Sequence, residues 1–114
     1  MEDIKVKLSE EFAVDILGLS EILLNKKCNN AIITQILKSG TSIGANIAES
    51  RFAESSSDFV HKLKIAQKEG SETLYWLRIL FKAHYLDKSQ FNPLYAKCEA
   101  IMKILATILK TFKN

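Results

Sequence analysis

The stretch SGTSIGANIAESR, Ser39 to Arg51, sets two glycines and a row of small polar groups in the middle of a long apolar-periodic segment. Gly40 and Gly44 are four residues apart, so on a helix they lie one above the other and remove the side chains that hold two helices apart. Each costs roughly 1 kcal/mol of helix propensity relative to alanine, and close approach of a neighbouring backbone is the simplest compensation. Ser39, Ser42, Asn46 and Glu49 recur at helical steps, forming one polar stripe flanked by Ile36, Ile43 and Ile47. An unpaired polar group among apolar neighbours costs about 1–3 kcal/mol, so partners on another helix are expected. The stretch reads as a device for packing helices in register, with a ligand or catalytic site as the sharper alternative.

The segments on either side carry the same period. Upstream, Phe12, Ile16, Leu19 and Leu23 make a core-facing seam. Its helix starts at Ser9, whose hydroxyl can cap it with Glu10 and Glu11 at the positive end, or nearer Asp3. Lys26 and Lys27 suit the negative end, and Asn29 and Asn30 break and recap the chain. A second helix is expected from about Ala31 to Phe52, with Ile32, Ile36, Ser39, Ile43 and Asn46 on its seam. Ser55 to Asp58 then give an S-x-x-D cap. The third helix keeps Phe59, Leu63, Ala66, Gly70, Thr73, Leu77, Leu80 and His84 at alternating steps of four and three, the signature of bundle packing. A row on nearly the opposite side holds Ile65, Glu69, Glu72, Trp76 and Ile79. Trp is favoured at interfaces, so Trp76, Ile65 and Ile79 are the expected subunit contact. Asp87 or Ser89 caps a fourth helix, with Pro93 near its first turn and Leu94, Cys98, Ile101, Leu105, Ile108 and Phe112 along its seam. Short connections force neighbours antiparallel, so the fold class is all-α, an up-down-up-down four-helix bundle.

Composition agrees. The chain has 114 residues, 47% of them hydrophobic, with one proline and four glycines, which suits one domain spanning residues 1–114 and not a turn-rich β protein. No apolar run approaches the roughly 20 residues needed to cross a bilayer. The opening MEDIKVKLSEE lacks the basic-then-apolar layout of a signal peptide, and a cytoplasmic location is expected. Cys28 and Cys98 are far apart and read as small buried hydrophobes. The net charge of +3 is compatible with nucleic-acid contact without demanding it.

The segments SIGANIAES and DFVHKLKIAQKEGSETLYWLRIL resemble the small bacterial four-helix-bundle family named after the 23S rRNA intervening sequence. The likeness rests on Ser42, Ile43, Asn46, Ile47, Ala48 and Glu49, then on Asp58, Phe59, Leu63, Ile65, Ala66, Ser71, Glu72 and Leu77. It marks Ser42, Asn46, Glu49 and Glu72 as structural motif positions. Ser50, where members commonly have glycine, and the QKEG before Ser71 are departures. The same family includes the accessory variability determinant of diversity-generating retroelements. That resemblance implies a ring of five subunits acting through a basic surface beside RNA and a reverse transcriptase.

Chemistry is sparse. A di-metal carboxylate bundle needs Glu-x-x-His pairs on two helices, and neither His61 nor His84 supplies one, so no metal or other cofactor is expected. His84 reads as a packed or capping residue and His61 as surface. Glu49, Glu69 and Glu72 could meet inside the bundle, although pairing with Ser, Asn or Thr is the commoner outcome. No strand-borne Gly-rich loop is present to cradle phosphates. What remains is a basic face on the third helix: Lys64, Lys68, Ser71, Tyr75, Arg78 and Lys82. Lysines there would hold phosphates while Tyr75 stacks on an unpaired base. Lys38 and Arg51 on the second helix could extend the patch, and Lys103 and Lys110 on the fourth are a separate possibility. The expected function is a non-enzymatic, homo-oligomeric accessory protein binding RNA or DNA. The alternative is a protein-interaction scaffold whose lysines serve only solubility.

Overall fold

The computed structural model describes residues 3–112. It contains four helices: α1 (Ile4–Asn25), α2 (Asn30–Ser50), α3 (Ser56–Lys82) and α4 (Lys88–Lys110), with no strand among the described residues. Each helix packs on its two neighbours around a ring, α1 on α2, α2 on α3, α3 on α4 and α4 on α1. The contacts run antiparallel. Ser9 meets Gly44 while Ile16 meets Gly40, and Lys62 pairs with Glu49 while Thr73 meets Ser39. The molecule is an antiparallel four-helix bundle measuring 45 × 27 × 21 Å.

The seams fill one core. Phe12, Ile16 and Leu23 of α1, Ile36, Ile43 and Ile47 of α2, Leu63, Ala66 and Leu77 of α3, and Cys98, Ile101 and Leu105 of α4 are all fully buried. On α2 the seam is rotated slightly from expectation, with Ile33 buried and Ile32 half-buried.

The two glycines of the opening stretch face α1. A Cβ on Gly40 would come within 2.9 Å of Ile16 Cγ1, and one on Gly44 within 3.2 Å of the Ser9 carbonyl oxygen. Helix contact at that range needs a missing side chain, which explains both glycines. Gly70 plays the same part against α4, where a Cβ would run into the Met102 thioether.

Ser9 is not the cap of α1. Asp3 caps it, its carboxylate accepting from Lys5 N–H at 3.2 Å, and the helix begins more than a turn earlier than Ser9. The extra turn is worth forming because Val6 and Leu8 pack against the core. Ser9 lies buried inside the helix, donating to the Val6 carbonyl at 3.1 Å.

The turns at one end share a design. Lys27 and His84 both adopt the left-handed conformation, with φ of 58° and 67°. Behind them the N–H groups of Cys28 and Tyr85 donate to Leu23 and Leu80, which closes a Schellman motif after α1 and another after α3. His84 is therefore exposed and off the core seam, and its backbone does the capping. Lys26 Nζ donates to the Tyr85 carbonyl at 2.7 Å and ties the two turns together. Ser55 caps α3 through Asp58 N–H. Asp87, not Ser89, caps α4 in a reciprocal box with Gln90, which leaves Pro93 in the second turn.

Candidate nucleic-acid interface

With Leu63, Ala66, Gly70, Thr73, Leu77 and Leu80 committed to the core, the helical period turns a different set of α3 residues to solvent. Lys64, Lys68, Ser71, Tyr75, Arg78 and Lys82 are all exposed or half-buried and share that outer face. Lys64, Lys68 and Lys82 have no ion-pair partner among the described residues. Arg78 Nη1 donates to the Tyr95 hydroxyl of α4 at 2.7 Å, which fixes the guanidinium and leaves other N–H groups available. Tyr75 is 47% exposed and stands edge-on against Trp76, ring centroids 5.0 Å apart. From Lys64 to Lys82 the face runs about 27 Å at the helical rise.

Lys38 and Arg51 are exposed on α2. The two lie in opposite halves of their helix, and Arg51 caps its C-terminus. α4 brings a further lysine beside the α3 face. Lys110 and Lys64 line one cleft of about 320 Å³, over Val60, Ala106, Leu109 and Phe112. Sequence alone leaves Lys110 on a separate helix, and its nearness to Lys64 depends on how α3 and α4 rotate against each other.

Only one member of the polar stripe enters the core. Ser39 is fully buried, and its hydroxyl meets that of Thr73 on α3 at 2.9 Å. The Glu69 carbonyl lies 2.8 Å from Thr73 Oγ1 and the Ile36 carbonyl 3.4 Å from Ser39 Oγ, so acceptors are in place for both protons. Ser42 and Asn46 lie outside the core, the Asn46 amide donating to the Ser42 carbonyl at 2.9 Å within α2. Glu49 accepts from Lys62 Nζ at 2.8 Å on the surface, and this hydrogen bond raises the Lys62 pKa. Glu72 accepts from Trp76 Nε1 at 3.3 Å. The three carboxylates at 49, 69 and 72 do not converge on one interior site. Trp76 is partly buried and packs against the core from the side of α3.

A further surface lies on α1, where the sequence pattern names no function. Val14, Leu17 and Leu24 of α1 are exposed, Val14 by 66%. Beside them Val14, Gly18 and Ile22 form a groove with Pro93 and Leu94 of α4, bounded by an Asp15–Lys97 ion pair at 2.8 Å. The available signal was α1 itself, which carries apolar residues at positions 14, 17 and 24, off its core seam.

Both cysteines are buried. Cys98 is buried, its thiol donates toward the Gly70 carbonyl at 3.7 Å, and desolvation pushes its pKa up to about 12. Such a thiol is inert at neutral pH. Burial also raises Cys28. Among the described residues no group of His, Cys, Asp and Glu could hold a metal ion, and no helix is long and apolar enough to cross a membrane.

Four antiparallel helices around a shared core, with a basic outer face on the longest, define a small all-α four-helix-bundle protein. Within that class, residues 2–107 match the family described as 23S rRNA-intervening sequence protein, and the chain belongs to that family. A solved structure from Bacteroides thetaiotaomicron, described as a protein of unknown function from the S23 ribosomal protein family, is 42% identical to it. The match covers 93% of this chain and 98% of that one, with a TM-score of 0.90. No curated protein matches the chain.

Proposed function

We propose that this chain is a non-enzymatic, single-domain cytoplasmic accessory protein that self-associates and holds RNA or DNA on the outer face of α3. The observation that carries this reading is the run of residues from Lys64 to Lys82, in which three lysines lack any carboxylate partner among the described residues. Lysines placed only for solubility are commonly interspersed with acids, whereas a phosphate-binding face keeps its cations free. One copy supplies few contacts, and repetition of the face in an oligomer would raise avidity without any new contact. A count of five rests on the family resemblance. Self-association is supported by the apolar outer face of α1, since monomers seldom expose contiguous apolar patches, and by the partly buried Trp76.

Binding to a structured RNA, followed by fluorescence anisotropy, tests the reading. Lys64→Glu, Lys68→Glu and Lys82→Glu together should abolish binding while leaving the fold intact by circular dichroism. Unchanged binding would end it. A second reading, a scaffold for a protein partner such as a reverse transcriptase, is favoured by the Trp76 surface. It predicts the opposite pattern, in which the glutamate variants keep the partner and Trp76→Ala loses it.

A further inference from the structure

We infer that the cleft between α3 and the C-terminal half of α4 receives an unpaired base, so that the nucleic acid crossing α3 is held as a single strand. This rests on the reading of α3 as a nucleic-acid face and narrows it to one strand form. The cleft is lined by the apolar Val60, Ala106, Leu109 and Phe112 together with Lys64 and Lys110. A base is the matching shape, with flat apolar faces, a polar edge and a tethered phosphate. Phe112 is 41% exposed and rests against Phe59 with ring centroids 5.6 Å apart, which leaves aromatic surface for stacking. The Gln67 amide, which also lines the cleft, can both donate to and accept from a base edge.

The path does not stop there. A second concavity, lined by Lys64, Gln67, Lys68, Ser71 and Met102, shares two residues with the first and leads along α3 toward Tyr75. Neither lining includes a carboxylate, and Lys64, Lys68 and Lys110 are free of ion pairs among the described residues. Cations that continue past the cleft to Arg78 and Lys82 suit a polyanion, where a single-headed amphiphile would engage only the first two. A duplex keeps its bases stacked inside and could touch the lysines but not enter the cleft.

The test uses the full chain and labelled oligonucleotides of one mixed sequence at fixed salt: single-stranded RNA, single-stranded DNA, the duplex, and a single strand with abasic sites that keeps every phosphate. The abasic strand should bind about 10-fold more weakly than its parent, because stacking is lost while charge is kept. Ala106→Phe, which fills the cleft, should weaken the intact single strands to a similar degree and leave the duplex unchanged. The abasic comparison needs no variant and stands even if Ala106→Phe does not fold. Equal binding of abasic and intact strands would overturn base insertion, as would an equal loss of duplex in Ala106→Phe. If Lys64→Glu with Lys68→Glu still removes every strand in that case, the basic-face reading survives and only the cleft fails. Absence of binding to all four probes would sink both. A lower sedimentation mass for Ala106→Phe would assign the cleft to a second copy of the chain, and saturable decanoate binding without any strand would assign it to an amphiphile. Either result contradicts the inference.

Discussion

Gly18 and Gly40 sit mid-helix under opposite conditions. A Cβ at Gly40 meets the buried Ile16 side chain at 2.9 Å, whereas one at Gly18 meets nothing within 4 Å. In the isolated chain, Gly18→Ala should therefore stabilise by about 1 kcal/mol through helix propensity. Gly40→Ala gains the same propensity but overpacks the α1–α2 contact, which costs about 1–3 kcal/mol, so it should be neutral to destabilising by about 2 kcal/mol. Urea unfolding of both variants checks the pair, and stabilisation by Gly40→Ala would show that the helix contact does not require that glycine. Loss of stability or of assembly in Gly18→Ala would place a second copy against α1. Cys98 gives a pH prediction. Its folded pKa, about 12, lies above the unfolded value near 9, so the folded state holds the proton more tightly. That contribution is complete below pH 9 and is lost as pH rises from 9 toward 12. Cys98→Val should flatten this part of the stability profile, read as the urea midpoint against pH, and an unchanged slope would contradict a desolvated thiol.

At the scale of elements, the α2–α3 interface carries one buried polar contact, Ser39 with Thr73. Each partner also has a carbonyl on its own helix, so removing one hydroxyl leaves the other satisfied. Ser39→Ala and Thr73→Val should each cost about 1 kcal/mol, with a coupling of about 0.5–1.5 kcal/mol in a double-mutant cycle. Strict additivity would show that the two hydroxyls do not communicate. The same interface shows what a sequence can convey. Seams such as Phe12–Ile16–Leu19–Leu23 were legible because a shared core imposes one period on every helix. Gly40 and Gly44 were legible because glycine weakens a helix interior, so two of them one turn apart point to a neighbour at close range. Ser9 was ambiguous, since a serine that caps a helix and one that packs inside it look alike in sequence. His84 follows the heptad step, yet the helix ends first in a left-handed turn. Asn46 matches the stripe, but its amide finds a carbonyl one turn back and needs no other helix.

On the scale of the whole molecule, the candidate site joins a part that sequence reveals to a part it cannot. The outward placement of Lys64, Lys68, Arg78 and Lys82 follows from the same period that buries Leu63 and Leu77. Lys110 and Phe112 join that face only through the rotation of α4 against α3, a tertiary quantity with no local signature. The apolar outer side of α1 belongs to this scale too, because its meaning lies in what covers it. Phosphate binding by the free cations of α3 is the central physical expectation for this molecule. The slope of log K against log salt for RNA binding measures it most directly. Each phosphate contact contributes about 0.7 to the slope for a single strand and about 0.9 for a duplex. Replacing Lys64, Lys68 and Lys82 by glutamine should reduce the slope for a single strand by about 2 per chain engaged. A slope that stays the same in the triple variant would contradict that expectation.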